Sequence, residues 1–181
     1  NEPLEVAYID RTGEPGAADT GEIEALPGNG LPATLDIAGV TPRELVMEGG
    51  AMGGLAGAKL RGRDVDMREL VQNSMAWAFN GVAGMTEEPF ASLKKGDTAV
   101  FDLVNKTAWP HAMHLHGHHV LPLTIDDKPV ADQDWRDTVV VSANSRTRVA
   151  FVADNPGKWM LHCHMLEHQA AGMMTWVSVE I

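Results

Sequence analysis

The stretch His162-Cys163-His164-Met165-Leu166-Glu167-His168-Gln169-Ala170-Ala171-Gly172-Met173 holds the only cysteine of the chain and three of its eight histidines. A methionine closes it, ten residues after the cysteine. A thiolate, two imidazoles and a weak thioether make up the ligand set of a blue copper electron-transfer site. Cys163, His168 and Met173 supply three of those donors. The remaining imidazole has one obvious source, His111-Ala112-Met113-His114-Leu115-His116-Gly117-His118-His119. All eight histidines lie between positions 111 and 168. Core or surface histidines beside a buried free thiol would rarely cluster in this way, and a metal centre accounts for it.

If His162-Cys163-His164 ends a strand, Cys163 points one way and its neighbours the other. One tripeptide then serves two sites joined by a few covalent bonds, which is the layout electron transfer needs. His114 and His116, two apart, share a face, while His111 is offset and free to turn toward Cys163. Two ligand groups follow. His111, Cys163, His168 and Met173 form a mononuclear blue site, and His114, His116, His162 and His164 form part of an imidazole-only cluster. Neutral imidazole suits copper. His118 and His119 fit neither group and are expected at the surface or behind the ligands.

The two stretches resemble the copper-binding signatures of the multicopper oxidases: laccases, bilirubin oxidases and bacterial cuprous oxidases. The patterns H-x-x-H-x-H and H-C-H-x-x-x-H-x-x-x-x-M are both matched in full and in order. The resemblance covers residues 41–181, the C-terminal cupredoxin domain of that family, and implies an all-β, cupredoxin-like Greek-key β-sandwich. It implies type 1 copper at His111, Cys163, His168 and Met173, type 2 copper at His114, and type 3 copper at His116, His162 and His164. Cys163, His162 and His164 are then the residues that carry electrons between the centres. A small reductant, phenolic or cuprous, loses electrons one at a time at type 1, and dioxygen is reduced to water at the trinuclear cluster. A periplasmic or secreted location is also implied.

Two departures stand out. The cluster of the family draws four more histidines, in two H-x-H motifs, from an N-terminal domain, and this chain has only His118 and His119 left, which are not an H-x-H pair. The chain is therefore expected to hold half a cluster, to be inactive alone, and to need that domain as partner. Gln169 stands where many bacterial members carry a proton-relaying acid. Three rivals remain on the residues alone. A blue copper carrier, or a copper nitrite reductase-like domain, explains the first group better than the second. His164-Met165-Leu166-Glu167-His168 also matches H-x-x-E-H, an inverted zinc-protease motif, which leaves Cys163 and Met173 unexplained. Met47, Met52, Met67, Met75 and Met85 could suggest cuprous-ion binding, as Met-rich segments do in some multicopper oxidases, but they are dispersed and read as ordinary packing residues. Asp134, Asp137 and Glu167 suit proton relay or substrate contact, and plain structural hydrogen bonding at least as well.

The elements that must position these donors read as strands. Glu44–Glu48, Met75–Gly81, Asp97–Asn105, His119–Ile125, Thr138–Val141, Arg148–Val152, Lys158–Cys163 and Met173–Ile181 alternate or are rich in β-formers. Within Asp97–Asn105, Val100, Asp102 and Val104 alternate with Phe101 and Leu103. Short strands about ten residues apart argue a two-sheet antiparallel sandwich. Gly49–Gly54 reads as a flexible loop, and Arg63–Arg68 is polar and ambiguous. Residues 1–40 differ. A weak strand at Leu4–Ile9 precedes a Gly/Pro/acidic tract through Pro32, which reads as a linker. The stretch is expected to be either the tail of a preceding domain or a disordered arm.

The net charge of −11 disfavours nucleic acid and anionic membrane as partners. No apolar run of about eighteen residues occurs, so no transmembrane helix is expected. One cysteine excludes an internal disulfide. The chain opens at Asn1 with neither an initiator methionine nor a targeting segment, and is expected to be processed or truncated.

Overall fold

The computed structural model describes residues 13, 16, 27, 28, 30–131 and 133–181. The chain divides into Asn1–Leu31 and Pro32–Ile181, and every element below belongs to the second unit. The expected strand at Leu4–Ile9, and most of the tract that follows it, lie outside the described residues.

Fourteen strands and two short helices follow one another among the described residues. They are β1 Arg43–Gly49, β2 Gly57–Leu60, β3 Arg63–Asp66, α1 Met67–Gln72, β4 Trp77–Phe79, β5 Val82–Ala83, β6 Ala91–Lys94 and β7 Thr98–Asn105. Then come β8 His111–Leu115, β9 Leu121–Ile125, β10 Lys128–Pro129, β11 Thr138–Val141, β12 Arg146–Val152, β13 Gly157–Cys163, α2 Leu166–Ala170 and β14 Met174–Glu180. A nine-stranded sheet runs β10-β9-β12-β7-β1-β4-β5-β2-β3, and a five-stranded sheet runs β11-β8-β13-β14-β6. The expected β-sandwich is present, but its sheets are mixed rather than antiparallel. β1 pairs β7, β14 pairs β6, and β2 pairs β5 in parallel. The cause is connection length: each parallel pair is joined by a long excursion through other strands, whereas a short hairpin reverses direction.

The main core lies between the sheets. Leu45, Phe101, Leu103 and Phe151 face Met113, Leu161, Cys163 and Val177 across it. Phe101 packs edge-on against Phe151 at 5.1 Å, and burying each such ring stabilises the fold by roughly 1.5–3 kcal/mol. β7 departs from the alternating expectation, because Val100 and Asp102 are buried as well as Phe101 and Leu103. Asp102 tolerates this through Arg148, whose Nε and Nη2 donate to it at 2.7 and 2.9 Å.

The ambiguous Arg63–Arg68 segment resolves into the end of a hairpin and a capped helix. The Asp66 carboxylate accepts the Glu69 N–H at 2.8 Å, a cap that stabilises a helix by about 1 kcal/mol. Leu70 then packs beneath α1 with Leu60, Val65 and Ala78. An acceptor three residues ahead of Glu69 and just before Leu70 was the available sequence signal. His119 precedes β9 rather than opening it, since the strand begins at Leu121.

Candidate metal centre

The end of β13 separates its side chains as strand alternation requires. Cys163 is wholly buried. Its Sγ lies 3.8 Å from His111 Nδ1 and 3.7 Å from His168 Nδ1, and the two nitrogens are 3.1 Å apart. Each residue comes from a different element. His111 opens β8, Cys163 closes β13, and His168 sits in α2, whose single turn brings it back over the cysteine. Met173 is also wholly buried and is tied to both neighbours by backbone: its carbonyl accepts the Cys163 N–H, and its N–H donates to the His168 carbonyl. Met174 pairs with His162 in the sheet and so belongs to the opposite face.

These donors fit a copper ion. Three ligands at about 2.1 Å in a trigonal plane stand about 3.6 Å from one another, and the observed edges are 3.1, 3.7 and 3.8 Å. Burial holds His111 down to about 4 and lowers His168, which Glu167 partly offsets. Both rings are therefore neutral and carry a free lone pair. Burial also raises the Cys163 thiol, so metal binding must displace its proton.

The second group faces the other way. His116 Nε2 and His162 Nε2 stand 2.9 Å apart. The ligating atoms of His114, His116 and His162 all lie within 4.8 Å of one another. His164 is outside that set, but its ring lies 5.3 Å from His114 and 5.6 Å from His162. Second hydrogen bonds sort the ring nitrogens. His162 Nδ1–H donates to its neighbour's carbonyl, on Cys163, at 2.9 Å, and His114 Nδ1–H donates to the Asp137 carbonyl at 2.7 Å. Each leaves Nε2 as the lone-pair atom. The first group thus converges through Nδ1, and His114, His116 and His162 through Nε2.

The other sequence candidates are distributed as follows. His164 and His168 fall on different groups, so the inverted zinc motif has no shared site. Asp137 meets His114 through its backbone carbonyl. His118 is buried with its Nδ1–H donating to the His116 carbonyl, between the Phe151 and Trp159 rings. Met47 lies in the main core and Met67 and Met75 pack on the second, as expected, but Met52 and Met85 are exposed and pack in neither.

Two neighbours of the first group escaped the sequence reading. The buried Trp77 ring packs 5.1 Å from His111 and 4.4 Å from His168. Thr107 Oγ1 stands 2.7 Å from His111 Nε2. No motif marks either residue. The Gly49–Gly54 loop, expected to be flexible, turns out to be shaped by Trp77: a Cβ at Gly50 would stand 2.1 Å from that ring.

A cupredoxin-like sandwich in which one cysteine and two histidines converge beside further imidazoles defines a copper redox domain. Residues 62–181 match the family model described as "Multicopper oxidase", and the chain belongs to that family, whose cofactor is copper. The multicopper oxidase MmcO of Mycobacterium tuberculosis is 41% identical over 100 residues, 55% of this chain and 19% of that protein. Copper resistance protein A of Escherichia coli is 32% identical over 105 residues, 58% of this chain and 17% of that protein. A multi-copper oxidase structure from Pseudomonas thermotolerans superposes with TM-score 0.67 at 27% identity, over 88% of this chain and 34% of that one. The blue copper oxidase structure from Nitrosomonas europaea gives 0.62 at 26%, over 81% and 46%. The chain spans about a fifth of the length of the curated relatives it matches.

Proposed function

We propose that residues 41–181 act as the C-terminal cupredoxin domain of a multicopper oxidase, with residues 1–40 as the tail of a preceding domain and its linker. His111, Cys163, His168 and Met173 would hold a type 1 copper. His114 would hold a type 2 copper, and His116, His162 and His164 the type 3 pair, together with four imidazoles from an N-terminal domain. Bound copper supplies one-electron redox chemistry at the first group and dioxygen reduction to water at the second.

The chain's own residues do the rest. Cys163 and His162 are consecutive, so the path between the groups runs through one stretch of backbone. The His162 Nδ1–H to Cys163 carbonyl bond adds a hydrogen-bonded branch. His111 is wholly buried, whereas His168 is partly exposed on α2. The reductant, a phenol or cuprous ion, therefore meets the site at His168. The observation that carries this reading is the opposite placement of Cys163 and its neighbour His162, each already gathered with its own imidazoles. A blue electron carrier needs only the first group.

We extend the reading to a periplasmic or secreted location, as the family resemblance implies. No helix among the described residues is long and apolar enough to cross a membrane. Oxygen uptake with a phenolic reductant tests the proposal. The purified, copper-loaded chain alone should reduce oxygen negligibly, and adding a protein that bears the missing histidines should restore turnover. Sustained reduction of oxygen to water by the chain alone would show that the cluster is completed in another way, for instance between copies.

A further inference from the structure

The His111 ring is gripped on the side away from Cys163. Thr107 is wholly buried, and its Oγ1 has three partners: the Trp109 carbonyl at 3.1 Å, the Trp109 N–H at 3.2 Å and His111 Nε2 at 2.7 Å. A hydroxyl offers one hydrogen and two lone pairs. With its hydrogen on the carbonyl and one lone pair on the amide, a lone pair is left for the imidazole, and in that arrangement Nε2 brings the proton.

Asn105 keeps Thr107 in place. Its Oδ1 accepts the Thr107 N–H at 2.9 Å, and its Nδ2 donates to the carbonyls of Trp109 at 2.7 Å and Ser142 at 2.9 Å. This bracket ties the end of β7 in one sheet to the end of β11 in the other. It consists of protein groups alone and is complete without a metal.

We infer that Thr107 is a positioning residue for the blue centre: its hydroxyl takes the His111 Nε2–H and leaves Nδ1 as the lone-pair atom aimed at Cys163 and His168. The inference rests on the proposed assignment of those three residues to one copper. An acceptor on the far nitrogen raises the basicity of the near one and fixes the ring plane. A stronger donor favours Cu(II) over Cu(I), so Thr107 lowers the reduction potential as well as tightening binding. The competing arrangement turns the hydroxyl toward Nε2, leaves the Trp109 carbonyl to Asn105, and moves the proton to Nδ1, between His111 and His168.

The imidazole nitrogen shifts of the metal-free, 15N-labelled protein decide between the two. His111 should be the Nε2–H tautomer in the wild type and in Thr107→Ser, and an Nδ1–H tautomer in the wild type overturns the inference. In the copper-loaded protein, Thr107→Val should bind Cu(II) about 10–100-fold more weakly and show a raised potential, while Thr107→Ser stays close to wild type. A Val variant that melts earlier but keeps wild-type affinity and potential would reduce Thr107 to a packing residue. Should Thr107→Val not fold, Thr107→Ala carries the same comparison. A wild-type protein that never turns blue would instead sink the copper assignment, and the metal-free tautomer would still report on Thr107.

Discussion

Cys163 and His162 are neighbours in the chain, yet their side chains join different groups of donors. The Cys163 sulfur stands 3.7 Å from His168 Nδ1, while His162 Nε2 stands 2.9 Å from His116 Nε2. The alternation of β13 makes one peptide unit the boundary between two groups of donors, and the chemistry of each group can be probed separately.

Cys163→Ser tests the first group. The wild-type protein loaded with Cu(II) should show an intense visible thiolate-to-copper band that colours it blue. The serine variant should be colourless, because a hydroxyl supplies no such donor. Absorption spectra of the two proteins at equal copper settle the point. A band that survives the substitution removes the type 1 assignment.

Met173→Leu separates tuning from holding. A weak axial thioether adjusts the potential without anchoring the metal. The variant should stay blue and its reduction potential should rise, since a donor to Cu(II) is lost. Each ~59 mV corresponds to a tenfold change for a one-electron couple. Redox titration measures the shift, and an unchanged potential would mean that another residue is axial.

Gly50→Ala and Gly54→Ala distinguish steric fit from backbone strain. Both glycines have positive φ, 74° and 67°, but only at Gly50 would a Cβ strike the Trp77 ring, whereas Gly54 has nothing within 4 Å. Gly54→Ala should cost about 1 kcal/mol of stability from backbone strain alone. Gly50→Ala should cost roughly 1–3 kcal/mol more from overpacking. It should also weaken copper binding, because Trp77 supports both His111 and His168. Thermal melts and a copper titration of the two variants provide the comparison.

Asp102 gives the fold an acid-sensitive element. The hydrogen bond from Arg148 holds its carboxyl below the ordinary 3.8, against the opposing effect of burial. A depressed folded pKa means the contribution is whole above the unfolded pKa and fades as pH falls through the folded one. Asp102→Asn should therefore lower stability at neutral pH by about 1–3 kcal/mol, between the exposed and buried ion-pair ranges, because Arg148 is partly exposed. The gap to wild type should narrow below the carboxylate range. Denaturant titrations at neutral and acid pH measure it, and a gap that is constant with pH contradicts the pairing.

The donors and their division into two groups are legible in the chain's letters. Strand alternation around Cys163 and the spacing of His114 and His116 are local consequences of covalent geometry, readable without knowing any partner strand. The offset of His111 already points it at the thiol, and the strand pairing is what carries it there. β8 pairs with β13 so that His162 lies opposite His114 and Cys163 opposite Met113. That register leaves His111 at the strand's opening end, where it reaches over Cys163 and meets His168 from α2. The parallel pairing of β1 with β7, the burial of Asp102, and the contacts of Trp77 and Thr107 with His111 were out of reach. Each depends on inter-strand hydrogen bonds or close steric fit, and for the pairings and Trp77 the partners lie tens of residues apart. Thr107 is only four residues from His111, but its hydroxyl is aimed by Asn105 and the Trp109 backbone. That is a matter of three-dimensional geometry, on which the letters Asn-Lys-Thr-Ala-Trp are silent.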